Sequence, residues 1–403
     1  MKRAAPNTHS GRMRASGMRQ MNSALLLEMI RMGGPVSRAE LARQSGLTKP
    51  TVSSLVADMM ERGIVVEDGA GEPDARGGKP PTMLRFDAGG GALAAVEIGS
   101  AQVRIWLADL DGNLMDSQNC AIRPARGAEH VLDALCAGVQ DLLSRGRGRR
   151  RKLRCISVAA PGRVDARTGT VLEAGNVFHW RNVEVRRTLA KRFGVETLVE
   201  NDVNLAALGE MHAGLAGGVR NFVLIRLGTG IGAGLVLGGQ LYQGTHWAAG
   251  EIAHMVFDRA TAPADGTIDR GLLESAIASD QILQRVSTAR AGAGEMAGAD
   301  LAAELAEAMR HDDPVAARVL DELAEKLSIA VADLAAVIDP ELIVLSGDVF
   351  ALVKDRIQEL VGRVIPWPMR VELSALGADA ALIGAMGAAK SLAHDLICDL
   401  GRN

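Results

Sequence analysis

Aromatic residues and cysteines are scarce in this chain of 403 residues, which has 6 Phe, 4 Trp and 1 Tyr. The four cysteines, Cys120, Cys136, Cys155 and Cys398, are far apart and form no CxxC pair. That spacing excludes a disulfide framework and a zinc knuckle and favours a reducing compartment. No apolar run approaches the roughly 20 residues of a membrane span, and the basic N-terminus lacks the apolar segment of a signal peptide. We therefore expect a cytoplasmic protein without a membrane anchor.

A strong net charge is also missing, because the formal charge is only -3. The distribution is uneven: residues 1–87 contain 13 Lys and Arg against 9 Asp and Glu, and the remainder contains 32 against 39. This asymmetry predicts two domains, residues 1–87 and 88–403. The basic start suits phosphate contacts, although a solvated tail explains it equally well. A second basic run, Arg145 to Arg154, is interpreted as a solvated loop between a helix and a strand.

The first domain has the pattern of a helix-turn-helix. Ser37 is placed to cap a helix from 38 to 45, and Gly46 provides a tight turn after it. Thr48 can cap a third helix, whose first turn accommodates Pro50. The apolar residues predicted to face the core of these helices are Leu25, Leu26, Met29, Ile30, Leu41, Leu47, Val52, Leu55, Val56 and Met59.

Polar side chains of the third helix and a basic loop are the candidate contacts with DNA. Strand patterns that begin at Ile64 and Thr82 flank a loop of Gly, Asp and Pro, which predicts a wing with a basic tip. A helical pair used for protein contacts is the alternative. The residues predicted to contact DNA are Thr48, Lys49, Thr51, Ser53, Ser54, Arg76 and Lys79.

The second domain repeats one pattern twice. A strand, a hairpin and helices follow residue 92, and the same order recurs after Phe222. Such a duplication predicts two α/β lobes with a cleft between them. The glycine-rich segment from Gly228 to Gly234 is predicted to be a loop whose backbone N–H groups face a phosphate. A tight hairpin explains the same segment equally well.

Further polar residues stand where predicted strands end. The segment 200–204 (ENDVN) follows a short strand and opens a helix, which is where α/β folds bind ligands. A helix cap would explain one polar residue of this segment, but four of its five residues are polar. Carboxylates, amides and imidazoles together are suited to the hydroxyls of a sugar. The candidate sugar-binding residues are Asn176, Asn201, Asp202, Glu251, His254 and Glu274.

The order of these motifs resembles the ROK family of repressors and sugar kinases. The motifs are the winged helix, GNxxxW, ENDVN, GTGIGAG, AGEIAH and LIGAMGAA. The resemblance implies an α/β fold in which a winged helix-turn-helix precedes a two-lobed, actin-like ATPase (ribonuclease H-like) domain. It also implies a place among the transcriptional regulators of the family, similar to repressors that answer to xylose or N-acetylglucosamine. In family kinases the aspartate at the position of Asp202 is the general base.

Two segments depart from the pattern of the family kinases. Their Asp-x-Gly-Gly-Thr phosphate loop is replaced here by residues 97–101 (EIGSA), and Asp348 lies in the adenosine loop. Because phosphoryl transfer requires phosphates and metal to be positioned together, we expect a vestigial base at Asp202, no catalytic residues and no bound ATP. The residues that keep the second phosphate loop are Gly228, Thr229, Gly230 and Gly232.

The zinc segment of the family is changed as well. The stretch that matches it, residues 265–274, contains none of the three family cysteines. A structural zinc site needs four ligands, and His254 alone is left of the family's set. We therefore expect no metal and no cofactor.

These features predict a sugar-responsive DNA-binding regulator, most often a repressor of carbohydrate-metabolism genes. Its expected partners are operator DNA and a sugar or sugar phosphate held between the lobes. A homodimer or homotetramer is expected, because one winged helix gives too little interface for tight specific binding. Two alternatives remain open. One is an ATP-dependent sugar kinase with a regulatory domain, and the other is a regulator that answers to a partner protein.

Overall fold

The first domain is a three-helix unit with a three-stranded sheet. The computed structural model of the chain describes residues 9–72, 80–149, 151–175, 179–256, 272–277 and 301–399. Ser37 caps its helix by accepting a hydrogen bond from the Glu40 amide, and Gly46 ends that helix with φ of 72°. The predicted helices are confirmed. The elements are α1 (His9–Gly33), β1 (Val36–Ser37), α2 (Arg38–Ser45), α3 (Lys49–Glu61), β2 (Val65–Ala70) and β3 (Thr82–Phe86).

The predicted wing is present, because β3 pairs antiparallel with β2. β3 also pairs with β1, a two-residue strand that is too short for its sequence pattern to predict. The predicted apolar stripe of α1 was wrong by one position. Leu25 is 44% exposed and Leu27 is buried in its place, because α1 packs against β3, α2, α3 and the C-terminal helix Ala380–Cys398.

Two five-stranded sheets of the same topology form the second domain, which confirms the predicted duplication. In each sheet a central strand pairs antiparallel with a hairpin partner on one side and parallel with later strands on the other. The first sheet has the order β11-β7-β4-β5-β6 and the second β14-β13-β12-β15-β16. Their strands are β4 (Ala92–Ile98), β5 (Gln102–Ala108), β6 (Leu114–Ala121), β7 (Leu153–Ala160), β11 (Glu196–Asn201), β12 (Phe222–Leu227), β13 (Ile231–Leu237), β14 (Gln240–Leu241), β15 (Leu342–Ser346) and β16 (Arg370–Leu373).

Helices cover both sheets, and a small antiparallel sheet extends the first lobe. α4 and α5 share an apolar core with the first sheet, whereas α8, α9 and α10 share one with the second. The small sheet contains β8 (Arg163–Asp165), β9 (Thr170–Ala174) and β10 (Trp180–Val183). The helices of the second domain are α4 (Ala128–Ser144), α5 (Val185–Phe193), α6 (Asp202–Ala213), α7 (Leu272–Ile277), α8 (Leu301–Arg310), α9 (Pro314–Ile338), α10 (Phe350–Val364) and α11 (Ala380–Cys398).

α6 and α11 pack tightly against each other at the centre of the molecule. A Cβ atom added at Gly384 would lie 1.7 Å from the carbonyl oxygen of Leu205, and one added at Gly209 would lie 2.2 Å from that of Ala380. Glycines at both positions therefore allow the two backbones to approach. Among the described helices, only the α11 segment is long and apolar enough to cross a membrane, and half of it is buried inside the protein. We interpret it as a core helix.

The interpretation of residues 145–154 as a solvated loop was wrong at its C-terminal end. Leu153 and Arg154 belong to β7, and the Arg154 guanidinium is half-buried. Its Nη2 donates to the carbonyl oxygens of Arg62 and Gly90, each at 2.6 Å. A guanidinium can be buried at low cost in free energy when carbonyl oxygens accept its N–H groups. The Arg154 guanidinium therefore links the second domain to the end of α3.

Candidate functional site

The ENDVN segment lies where β11 ends and α6 begins, as predicted. The Asn201 side chain caps α6, because its Oδ1 accepts the amides of Val203 and Asn204 at 2.9 and 3.0 Å. Its Nδ2 donates to the Gly162 carbonyl at 2.8 Å and to Asp202 Oδ1 at 3.2 Å. Asn201 thus fixes the start of α6 and the Asp202 carboxylate, and its proposed contact with a sugar stays a prediction.

Buried hydrogen bonds support this segment from behind. Glu200 accepts from the Asn201 amide at 2.8 Å, from Asn204 Nδ2 at 3.0 Å and from Gln243 Nε2. Burial raises the pKa of Glu200, and the three hydrogen bonds partly oppose that rise. The carboxylate therefore holds the end of β11, α6 and the segment after β14 in one arrangement.

Glu251, His254 and Glu274 form a second part of the site. Gly250 has φ of 84°, and its added Cβ would lie 1.8 Å from the Ala233 carbonyl oxygen, so the turn before Glu251 packs directly on β13. Burial raises the pKa of Glu251. His254 and Arg163 oppose this rise in the pKa of Glu251, and the carboxylates of Asp202 and Glu274 add to it. These groups therefore influence the charge of Glu251, and contact of Glu251, His254 and Glu274 with a sugar stays a prediction.

Arg226 links the two lobes beside Asp202. It was not among the site residues predicted from the sequence. Its Nη2 donates to Glu97 Oε1 at 3.0 Å, and its Nη1 lies 3.6 Å from Asp202 Oδ2. Burial disfavours the charge of Arg226, but Asp202 and Glu97 outweigh that effect and raise the pKa of the guanidinium. Burial also raises the pKa of Asp202; Arg226 opposes this and Glu97 adds to it.

The segments expected to bind phosphate are hairpin turns. The predicted loop 228–234 was wrong in extent, because Ile231 already begins β13 and Gly232 pairs with Arg226 inside the sheet. The tight hairpin is thus present, and contact of its turn with a phosphate stays a prediction. Gly228 and Thr229 are exposed at the turn, with Gly230 beside them. Gly232 lies against α6, since its added Cβ would be 3.1 Å from Val203. Asp348 is exposed at the end of β15.

Glu97 replaces the aspartate of the expected first phosphate loop. Only 5% of the residue is exposed, and Arg104 lies 3.5 Å from its Oε2. Arg226 and Arg104 thus lie beside the two oxygens of this carboxylate, and Oε2 accepts no hydrogen bond from the described residues. In the described residues no group of three or more His, Cys, Asp or Glu could hold a metal ion. Residues 265–271 of the predicted zinc segment lie outside the described residues, as does Asn176.

The candidate DNA-binding residues of α3 divide into two groups. Lys49, Ser53 and Ser54 are exposed, and within the described part of the chain no hydrogen bond engages their side chains. Thr48 and Thr51 contact each other instead: their hydroxyl oxygens are 2.9 Å apart, and Thr48 Oγ1 accepts the Thr51 amide at 3.4 Å. Arg76 and Lys79 lie outside the described residues.

Three arginines connect this domain to the second one. Arg31 of α1 donates to Asp111 at 2.9 Å, and Arg62 at the end of α3 donates to the Leu396 carbonyl of α11 at 3.5 Å. The third is Arg154. Arg154 and Arg226 could have been noticed in the sequence, because each is a charged residue in a strand that is otherwise almost entirely apolar.

Comparisons with known proteins agree with this arrangement. Residues 93–392 match the ROK family, and residues 16–77 match the MarR family. The xylose repressor of Caldicellulosiruptor bescii is 25% identical over 336 residues, which cover 82% of this chain and 84% of that protein.

Two solved structures extend the comparison. A ROK family transcriptional regulator, a homologue of the E. coli Mlc protein, has a TM-score of 0.75 and 24% identity over 94% of this chain and 98% of its own. It shows that the fold with both domains is shared. A ROK family glucokinase from Streptomyces griseus, solved with glucose and AMPPNP, has a TM-score of 0.63 and 27% identity. That match covers 75% of this chain and 100% of the glucokinase.

Proposed function

The chain belongs to the ROK family, and on that basis we propose that it is a transcriptional regulator that binds operator DNA in response to a sugar held between its lobes. The relative named a xylose repressor supports this function over most of the chain. The winged helix exposes Lys49, Ser53 and Ser54, which suit contacts with phosphates and bases. A regulator of this kind acts where the DNA is, in the cytoplasm.

One observation carries the proposal: a single strand links the sugar site to the DNA-binding domain. Arg154, the second residue of β7, holds the end of α3, and the strand ends two residues before Gly162, which holds Asn201. The eight residues of this strand span about 26 Å. α11 supplies a second link, because it packs on α6 and also contacts α1.

These links give a physical route for regulation. A sugar that binds both lobes favours one relative position of the two sheets, and β7 and α11 pass that difference to the winged helix. Regulation of DNA affinity requires the sugar to bind the DNA-competent state and the released state with different affinity. Two copies would place two recognition helices on a two-fold operator. We therefore include a dimer or tetramer in the proposal.

Phosphoryl transfer is not part of the proposed function. The Glu97 carboxylate lies between the guanidinium groups of Arg226 and Arg104, and we infer that these two charges compete with a metal–phosphate group for it. The second candidate is a sugar kinase with a regulatory domain. The retained Asp202 and the glycine turn at Gly228 favour it, as does the similarity to a glucokinase.

The test combines DNA selection with ligand binding. Purified full-length protein would select duplexes from a random pool, and the affinity for the selected duplex would be measured with pentoses, hexoses and N-acetylhexosamines. We expect one sugar to change DNA affinity by about 5- to 150-fold without MgATP. Sugar-dependent consumption of ATP would establish the kinase instead. DNA binding that no sugar changes would favour a partner protein as the signal.

A further inference from the structure

A cavity of about 330 Å³ lies behind the ENDVN segment. It is bordered by β11 and β14, which are edge strands of the two large sheets, and by α6 and α11. Of the described residues predicted to bind a sugar, none lines this cavity. The cavity is therefore separate from the candidate sugar site.

Leucine side chains form much of the wall of this cavity. Leu205 and Leu208 come from α6, Leu392 from α11 and Leu241 from β14. Leu205 is fully buried, and the other three are partly buried and pack on the core. Small-molecule sites are typically cavities of roughly 300 to 1,000 Å³ with apolar walls, and a cavity of about 150 Å³ already binds benzene. The cavity therefore has room for an apolar body of roughly six to ten non-hydrogen atoms.

Glu200 places a buried carboxylate in this cavity, because only 4% of the residue is exposed. Its three hydrogen bonds all come from uncharged donors: the Asn201 amide at 2.8 Å, Asn204 Nδ2 at 3.0 Å and Gln243 Nε2. A carboxylate can accept about four hydrogen bonds, so one acceptor site is left. Within the described residues no ion pair engages Glu200, and burial raises its pKa. A buried carboxylate without a cation is costly, so a cationic ligand would stabilise the folded chain here.

The cation among the described residues that line the cavity already has acceptors. Arg186 donates to three backbone carbonyl oxygens, at 2.7, 2.6 and 2.7 Å. Glu196 lines the same cavity as Glu200, so a carboxylic acid would meet two carboxylates there. The charges of the cavity therefore favour an amine over an acid as its ligand.

We propose that this cavity is a second effector site, which binds a primary amine whose ammonium group pairs with Glu200 and whose apolar body packs on the leucines. The effector role rests on the proposed function as a DNA-binding regulator. It follows from the helices that border the cavity: α6 begins at Asp202, and α11 contacts α1 of the DNA-binding domain. A ligand held between these helices would favour one arrangement of them and so change the affinity for DNA.

Compounds with one apolar body and different charges test the binding. The full chain would be titrated by calorimetry at neutral pH with hexylamine, hexanol and hexanoate, and with methylamine. We expect hexylamine to bind at least about tenfold more tightly than the other three, because only hexylamine supplies both the apolar body and the cation. Equal binding of hexanol would overturn the pairing with Glu200, and tighter binding of hexanoate would assign the cavity to acids instead. Failure of all four compounds would overturn the site.

Variants test where hexylamine binds. Leu392→Phe adds volume inside the cavity and leaves every charge unchanged, so hexylamine affinity should fall by about tenfold or more. Glu200→Gln should remove the preference for hexylamine over hexanol, and Leu392→Phe serves if Glu200→Gln does not fold. Leu352→Phe is the matched control, because Leu352 is a partly buried leucine of α10 that does not line the cavity. Unchanged hexylamine affinity in Leu392→Phe would refute the assignment.

The affinity for DNA tests the effector role. Hexylamine should change the affinity for the selected duplex by about fivefold or more, with or without sugar, and Leu392→Phe should abolish that change. Hexylamine that binds the chain without changing DNA affinity would overturn the effector role. If hexylamine changes DNA affinity and no sugar does, the proposed sugar response fails and the assignment of this cavity is kept.

Discussion

Glu97 and Arg226 occupy equivalent positions in the two halves of the second domain, and their side chains form an ion pair at 3.0 Å. Each stands two residues before the glycine that starts a hairpin turn, Gly99 or Gly228, on the central strand of its sheet. The duplicated fold thus places opposite charges where the two lobes meet. The pair holds the lobes together without a ligand.

Removing both partners of this pair should cost less free energy than the sum of the two single removals. Arg226→Met leaves Glu97 and Asp202 without their shared cation, and Glu97→Met leaves Arg226 with one acid fewer. We expect each variant to lower the free energy of unfolding by about 2 to 4 kcal/mol. The double variant should lose less than the sum of both, with a coupling of about 1 to 3 kcal/mol. Urea unfolding followed by circular dichroism measures this cycle, and strict additivity would contradict it.

Glu251→Gln should stabilise the protein without ligand while removing sugar binding. The pKa of Glu251 is raised by burial, so the folded state binds its proton more tightly than the unfolded state. The contribution of Glu251 to the free energy of unfolding is therefore fully present below its pKa in the unfolded state, about 4.3. It is lost as the pH rises through the higher pKa that Glu251 has in the folded state. The gain in thermal midpoint should be absent at about pH 4 and present at neutral pH. A gain that is the same at every pH would refute this origin.

Gly384→Ala should destabilise the chain, because the new Cβ would lie 1.7 Å from the Leu205 carbonyl oxygen between α11 and α6. Forced separation of packed helices costs about 1 to 3 kcal/mol or more. Gly362→Ala is the matched control: it lies in α10 with nothing within 4 Å, so alanine should be neutral or stabilise the helix by about 0.5 to 1 kcal/mol. Equal thermal midpoints for the two variants would contradict the close contact.

Lys49→Ala should weaken operator binding at all sequences and reduce its dependence on salt. Lys49 is exposed in the first turn of α3, so we expect it to contact a phosphate, and its loss should lower the salt slope by about 1. Ser53→Ala and Ser54→Ala should instead change sequence preference at single positions. Arg318→Gln, an exposed site on α9, controls for the loss of one positive charge. An unchanged salt slope in Lys49→Ala would exclude the phosphate contact.

The sequence predicts elements well where local signals agree. The caps at Ser37 and Thr48, the turn at Gly46 and the repeated strand order were all readable, because each depends on neighbouring residues. The Glu97 and Arg226 pair was not readable, since the residues are 129 positions apart and meet only when both lobes are folded. The contact of Arg154 with Arg62 was not readable for the same reason, although a charged residue in an almost entirely apolar strand could have been noticed.

Arg154→Gln removes a guanidinium that holds the carbonyl oxygens of Arg62 and Gly90, each at 2.6 Å, and so loosens α3 from β7. Sugar affinity without DNA should change less than about twofold, because the sugar site is about 26 Å along the strand. The ratio of DNA affinities with and without sugar should shrink towards 1 by about tenfold.

Reciprocity provides the check. If Arg154 carries the coupling, the effect of DNA on sugar affinity must shrink by the same factor as the effect of sugar on DNA affinity. Lys152→Gln is the matched control, because Lys152 is an exposed cation two residues away that loses the same charge. Fluorescence anisotropy of a labelled operator, with and without sugar, measures the effect of sugar on DNA affinity, and calorimetric titration of sugar, with and without the operator, measures the effect of DNA on sugar affinity. An equal loss in Lys152→Gln would show that the charge of this segment matters to DNA directly, and that the hydrogen bonds of Arg154 do not carry the signal.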